Sequence, residues 1–531
     1  MQKLLQQRGV IKRILASVIV MCFGAVACLP VIFPKLGLYQ WISMVPGAVI
    51  ILIEAREKEI KYREIYRTGF LYFMGFYLTA FHWFIALYPL SFIDGMTKGA
   101  AAVVVAFAWI GLSLLQTSVS AFVPVLIALL ARRGLCERYK MLLPVGAAAV
   151  YTVFEWMQTL TWAGVPWARL AIGQTEAPEM MKTASLFGSY FLTFIIVAVN
   201  FYIAASLLLD RKKQKALCAS IAMAIVSVSL LTGGILVAVD KEEKDTFKAA
   251  ALQLNISSQE KWSNELNLVR ERMEKYALDA AEKGAQLIVA SESVFPIDMI
   301  EGGVSYEFLR ELAQKCDATL VVGCFTEAEG GSKNSLIFID PEGNVSETVY
   351  SKRHLVPFGE YVPMRKLIET LVPPLANLSM LGEDLIEGDE TAIYDSELGA
   401  IGSLICFDSI YETLTLDTVR DGAEILVIST NDSWFLDSVG VRMHNAQAKL
   451  RAVESGRYIV RSANTGISSI IDPNGEVLDT KEALVEGYAI TEIAARDGRT
   501  LYSYVGNLIV WLSMAFTALS VLLVKKKVEC E

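Results

Sequence analysis

The stretch Ile401-Gly402-Ser403-Leu404-Ile405-Cys406 is a short apolar run that ends on a thiol. Two others share its form. Leu287-Ile288-Val289-Ala290-Ser291 runs into Glu292, and Val349-Tyr350-Ser351 runs into Lys352. Short apolar or β-branched runs bounded by turn residues read as buried strands. In α/β folds the chemistry sits where such strands end. A carboxylate, an ammonium and a thiol are the set that nucleophilic acyl transfer needs. The carboxylate takes the thiol proton as general base. The ammonium steadies the thiolate and the oxyanion of the tetrahedral intermediate. Taken singly, such residues are ordinary surface charges or buried thiols. The residue types alone are weak evidence, and the residues that flank them add to it.

Working outward, strand and helix patterns alternate from about residue 245 to 495. Strands are expected at Phe247–Ile256, Gln286–Ser291, Ala318–Phe325, Ala400–Phe407, Glu424–Thr430 and Tyr458–Ser462. Helices are expected at Ser258–Lys283, Tyr306–Lys315 and His444–Ser455. In the first of these, Leu266, Val269, Met273, Tyr276 and Ala280 fall on one face and Gly284 is the stop. Ser335–Asp340 and Val345–Tyr350 form a hairpin across Pro341-Glu342-Gly343-Asn344, and Ser468–Leu478 another across Pro473-Asn474-Gly475. This is an α/β domain of mixed sheets with helices on their faces.

On either side the composition changes. The whole chain is 54% hydrophobic and 20% charged, but the apolar residues concentrate in residues 1 to about 240 and again near the end. A bilayer-spanning helix needs roughly 20 apolar residues. Runs of that kind lie near 14–34, 36–53, 67–90, 98–131, 142–160, 185–209, 216–239 and 504–524, so about eight spans are expected. The first reads as a span rather than a cleaved leader, because further spans follow closely. Lys and Arg cluster in alternate loops: Lys3, Arg8, Lys12 and Arg13; Arg56 to Arg67; Arg132, Arg133, Arg138 and Lys140; Arg211 to Lys215; and Lys525 to Lys527. The intervening loops hold only Lys35, Lys98, Arg169 and Lys182. Basic loops stay in the cytoplasm. The 245–495 region is therefore expected on the outer face. Within the spans, His82 and Glu155 are ionisable, and each is read either as functional or as bonded to a neighbouring helix.

The net charge of −9 and the lack of a basic stripe in the α/β region argue against nucleic acid as a partner. Among the eight cysteines there is no CxxC pair, and the three histidines, His82, His354 and His444, do not cluster. That argues against a zinc site.

The residues around the lysine are more specific than the three reactive groups. The run Lys352-Arg353-His354-Leu355-Val356-Pro357-Phe358-Gly359-Glu360-Tyr361-Val362-Pro363 resembles the lysine motif of the apolipoprotein N-acyltransferases, a membrane-embedded branch of the nitrilase superfamily. Gln253-Leu254-Asn255 with Lys261-Trp262 resembles that family's opening strand and mobile tryptophan loop. Asn431-Asp432-Ser433-Trp434-Phe435 resembles its post-cysteine strand end. His444, Gln447, Arg451, Glu454, Gly456, Arg461, Ser462 and Asn464-Thr465-Gly466 match the helix and strand that follow. Trp83, Glu155, Gly164-Val165-Pro166-Trp167, Gly188 and Asn200 extend the likeness into the apolar half.

The resemblance implies a multi-pass helical membrane bundle joined to a nitrilase-like αββα sandwich. Residues 1–245 would form the membrane domain, 246–495 the extracytoplasmic catalytic domain, and 496–531 a last helix with a basic cytoplasmic tail. It implies Glu292 as general base, Lys352 as oxyanion and thiolate partner, and Cys406 as nucleophile. Glu360, Trp262, Phe407, Asp408 and Trp434 would support the site or bind substrate. The implied partners are a phospholipid acyl donor, a diacylglyceryl lipoprotein acceptor and the lipid bilayer of the bacterial cytoplasmic membrane. No metal or diffusible cofactor is implied. Two other functions use the same residues: a membrane-tethered amidase or thioesterase, with water in place of the amine, and a lipid-binding or transport protein with an inactive enzyme domain.

There are departures. Ala290-Ser291 stand where the family usually has Trp-Pro, Phe407-Asp408 where it has Tyr-Glu, and Gln158 where an Arg is common. Phe407 and Asp408 are expected to act on donor and acceptor preference more than on the chemical step.

Overall fold

The computed structural model describes residues 10–90, 96–135, 141–240, 245–257, 266–371 and 384–523. The chain divides into two compact units. One holds the helices before residue 240 and the helix near the C-terminus. The other holds residues 241–504 with a short stretch from 86 to 102.

In the first unit five helical segments among the described residues are long and apolar enough to cross a membrane: Ile11–Ile32, Pro34–Arg56, Lys98–Arg133, Ser189–Leu208 and Lys212–Val239. They mark the chain as a membrane protein. The expected count of about eight spans is not reached by this measure, and the reasons are local. The helix Tyr62–Ala80 opens with Arg63, Glu64 and Arg67. Leu143–Met157 and Leu508–Leu522 are apolar but fall in the 10–17-residue class. At 1.5 Å per residue such helices are shorter than a hydrocarbon core. The buried Glu155 carboxylate accepts from the Leu170 backbone N–H at 2.8 Å and from Thr193 Oγ1 at 2.5 Å. A carboxylate among apolar helices is tolerated when neighbouring segments satisfy it in this way. His82 Nδ1 lies 2.7 Å from the Thr79 carbonyl.

The second unit is built on two six-stranded sheets. The first contains β1 (Phe247–Gln253), β2 (Ala285–Val289), β3 (Thr319–Ala328), β4 (Gly331–Ile339), β5 (Val345–Ser351) and β12 (Gly487–Ile493), ordered β12-β1-β2-β3-β4-β5. The second contains β6 (Ile393–Ser396), β7 (Gly399–Ile405), β8 (Ile425–Thr430), β9 (Ile459–Ala463), β10 (Ser468–Ile471) and β11 (Val477–Lys481), ordered β11-β10-β9-β8-β7-β6. Each sheet has three parallel strands at its centre, β1-β2-β3 and β7-β8-β9, with antiparallel strands outside.

Strand alternation explains why the sheets face each other. Ala249, Ala251, Leu287, Val289 and Val321 of the first sheet share one buried cluster with Ile401, Ile405, Ile425, Val427 and Val460 of the second. Their neighbours Ala250, Leu252, Ile288, Leu320 and Val322 point the other way. There they bury Val269, Met273, Ala277 and Ala280 of the helix Leu266–Glu282 and Leu309, Leu312 and Ala313 of the helix Val304–Cys316. Central strands buried on both faces read as continuous apolar runs, as Leu287–Ala290 and Ile425–Ile428 do. The second sheet is covered by Glu412–Arg420 and Val439–Ser455. The result is the nitrilase-like α/β sandwich that the sequence implied.

One contact ties this packing to the strand ends. A Cβ added to Gly323 on β3 would lie 2.3 Å from the Ser291 carbonyl oxygen and 2.5 Å from the Ser293 nitrogen. Only glycine lets β3 pass beneath the turn that carries Glu292. Gly323→Ala should therefore cost about 1–3 kcal/mol, the range for overpacking a core, and should displace Glu292. A lower denaturation midpoint together with slower alkylation of Cys406 is the expected result. An unchanged midpoint and rate would show that the turn moves freely.

Candidate active site

Glu292, Lys352 and Cys406 each follow the end of a strand, β2, β5 and β7 in turn. Lys352 and Glu292 form a direct ion pair, with Nζ 2.8 Å from Glu292 Oε1. The same ammonium lies 2.9 Å from Glu360 Oε2. Lys352 is 1% exposed, so one buried cation serves two carboxylates. Both carboxylates have further donors. Glu292 Oε2 accepts from the Asn431 backbone N–H at 2.8 Å, and Glu360 Oε2 from the Val356 N–H at 2.8 Å. Asn334 on β4 donates from Nδ2 to both Glu292 Oε1, at 2.8 Å, and Glu360 Oε1, at 2.9 Å. Burial alone would push the Lys352 ammonium down. Glu292, Glu360 and the Cys406 sulfur outweigh it, so the lysine is held well above its ordinary value and stays charged.

Cys406 begins a short 3-10 turn, Cys406–Ile410, at φ 49. A non-glycine residue in this left-handed region is uncommon and is held there by its surroundings. Burial first, and the Glu292 carboxylate second, push its thiol up. Lys352 and a hydrogen bond with Thr430 act the other way without reversing the direction. At rest the sulfur is therefore a thiol. Attack requires a base to take its proton as the sulfur reacts.

Asp408 is fully buried, and its carboxylate is surrounded by donors of the same unit. Oδ2 accepts from Tyr350 Oη at 2.8 Å and from the Ile405 N–H at 3.2 Å. Oδ1 accepts from the His354 N–H at 2.7 Å. The residue expected to tune substrate preference thus latches the cysteine turn to β5 and the lysine segment. Phe407 is buried edge-on against Tyr411, with ring centroids 5.5 Å apart. Trp434 is half-buried on the turn after β8. Trp262 lies outside the described residues.

Beneath the thiol sits a second charged group. Asp432 accepts from Arg461 at 2.8 Å and lies 2.8 Å from His444 Nδ1. His444 Nε2 is 3.2 Å from the Cys406 carbonyl oxygen and 3.1 Å from Ser409 Oγ. Burial would raise the Asp432 carboxyl, but Arg461 and His444 hold it below the usual carboxylate range. Cys406, Asp432 and His444 have ligand atoms within 4.8 Å of one another, a spacing that a metal ion could use. The Arg461 guanidinium already supplies a positive charge to that carboxylate.

Asn334, Tyr350 and the Asn431 N–H were missed in the sequence. The expected strand began at Ser335, four residues after the observed start at Gly331, and left Asn334 in a loop. An asparagine entering an apolar strand was the available sign, since strands disfavour it.

The Asp408 carboxyl gives a pH prediction. Burial raises it to about 6, against the partial relief of Lys352, Tyr350 and the two N–H donors. A carboxyl raised on folding stabilises the fold fully below its ordinary value, near pH 4, and that contribution is lost as pH rises through about 6. Relative to Asp408→Asn, the wild-type denaturation midpoint should fall between pH 4 and 7. Parallel curves for the two proteins would contradict this account of Asp408.

Two family models match the chain in succession. Residues 23–202 match the apolipoprotein N-acyltransferase N-terminal domain, and residues 248–501 match carbon-nitrogen hydrolase. The apolipoprotein N-acyltransferase of Geobacter metallireducens is 28% identical over 505 residues, covering 92% of this chain and 91% of its own. That of Gloeobacter violaceus is 27% identical over 490 residues, covering 92% and 89%. That of Pasteurella multocida is 29% identical, covering 77% and 78%. With both models in this order, and relatives of one name matching nearly the whole length, the chain belongs to the apolipoprotein N-acyltransferase family.

Proposed function

We propose that this protein moves a fatty acyl chain from a membrane phospholipid to the N-terminal amine of a diacylglyceryl-cysteine lipoprotein, through a thioester on Cys406. The observation that carries the reading is the buried Lys352 ammonium, shared by Glu292 and Glu360, with Cys406 at a strand end of the facing sheet. In the first half-reaction Glu292 takes the thiol proton as sulfur attacks the ester carbonyl. The oxyanion forms against Lys352. The carbon–oxygen bond then breaks, and Glu292 returns the proton to the departing lysophospholipid alcohol. In the second half the amine nitrogen attacks the thioester carbonyl and gives one proton to Glu292. The carbon–sulfur bond breaks, and the sulfur recovers the proton. The net change is ester plus amine to amide plus alcohol, and no redox partner is required.

The basic loops support a cytoplasmic-membrane protein whose α/β unit lies on the outer face. The apolar helices support a lipid donor, since a hydrolase of soluble amides has no use for them.

Exposure of the full chain to phospholipid vesicles should add one acyl mass to the protein. Neutral hydroxylamine should remove it, and Cys406→Ala protein should not acquire it. Lys352→Met should slow adduct formation by roughly 100- to 1,000-fold, the loss typical of an oxyanion donor. An identical adduct on Cys406→Ala, or full activity in Lys352→Met, would overturn the assignment.

A further inference from the structure

Asn334 holds a place that packing alone does not explain. It is 3% exposed and lies on β4 before the apolar run Leu336–Ile339. Its backbone carbonyl accepts from the Lys352 N–H at 2.8 Å, so its position is locked to the lysine. Its Nδ2 donates to Glu292 and Glu360 at once. Its Oδ1 is buried and accepts no hydrogen bond among the described residues. A buried acceptor without a donor is unfavourable. Turning the amide over would be worse, since Oδ1 would then face two carboxylates. The contacts therefore fix which end of the amide faces the site.

The charge count shows what this does. Glu292 at the end of β2 and Glu360 in the lysine segment share one cation, Lys352. Cys406 and Asp408 at the end of β7 add a thiol and a raised carboxyl, and Asp432 at the end of β8 is already matched by Arg461 and His444. Two carboxylates share one ammonium, and the Asn334 amide is placed to donate to both of them.

We propose that Asn334 is a positioning residue for acyl transfer, its amide nitrogen bridging Glu292 and Glu360 so that both carboxylates stay charged and oriented on Lys352. The inference rests on the acyl-transfer reading above. It adds that the lysine alone does not hold this geometry. A hydrogen bond donated to an ionised group favours that form. Without the amide the two carboxylates lose the donor they share, and the site loses the orientation of its base or its grip on the lysine.

The test is the pH dependence of thioester formation by the full chain in vesicles of phosphatidylethanolamine and phosphatidylglycerol, read by intact mass. Asn334→Ser keeps a small polar side chain but cannot span both carboxylates. Asn334→Asp keeps the shape and places a third carboxylate on the one ammonium. The acid limb of the profile should move upward by about one pH unit, a tenfold change in proton affinity, in Asn334→Ser, and further in Asn334→Asp. A residue that only packs would lower the rate at every pH and leave the limb in place, and that result overturns the proposal. Alkylation of Cys406 by iodoacetamide across the same pH range gives a second readout that needs no lipid, and an unmoved limb there also counts against it. Absence of any wild-type adduct would instead overturn the underlying reading, so the two failures are distinguishable.

Discussion

An ammonium group taken out of water is strongly unfavourable unless anionic partners surround it. Lys352 is such a group, and the rest of the site is arranged by the need to satisfy it. Its partners come from separate pieces of chain: Glu292 from the end of β2, and Glu360 from the segment beyond β5. Removing the lysine would leave two buried carboxylates without a cation. Those carboxylates in turn draw in Asn334 from β4 and the Asn431 N–H from the end of β8. One cation thereby fixes four segments of the two sheets relative to one another. Such groups gain little net stability but specify geometry, which a reaction with a neutral thiol demands.

The cysteine side is held by a separate set of contacts. Asp408 joins the Cys406 turn to Tyr350 and His354, while Asp432, Arg461 and His444 brace the Cys406 carbonyl from below. Glu292 and Cys406 thus stand at the ends of central parallel strands of the two sheets, and Lys352 just beyond the antiparallel edge strand β5. This is where α/β architectures leave room for a substrate. The left-handed backbone at Cys406 is consistent with a residue held for reaction rather than for packing.

Much of this was legible in the sequence because it rests on local pattern. The apolar runs ending at Ser291, Ser351 and Ile405 marked the strand ends, and with them Glu292, Lys352 and Cys406. The helix from Leu266 showed its apolar stripe. Features that depend on distant pairing were not legible. β12 was missed because Gly487–Ile493 alternates weakly, and it is a strand only because β1, over two hundred residues earlier, pairs with it. β6 is four residues long and exists through its pairing with β7. Asn334 was passed over because its role is set by two side chains from other segments. Asp408 was recognised as unusual, but its four-sided burial could not be read from its neighbours in the chain. Helix ends were not legible either, because hydropathy runs do not show where a helix stops, as at Met157.

The central claim is that the Cys406 thioester is resolved by an amine rather than by water. The most direct measurement incubates the full-length protein with phospholipid vesicles and a diacylated lipopeptide bearing a free N-terminal amine, and counts products by mass spectrometry. The account predicts one N-acylated peptide for each lysophospholipid released, with little free fatty acid. Lysophospholipid and fatty acid released in equal amounts, with the peptide unmodified, would contradict it.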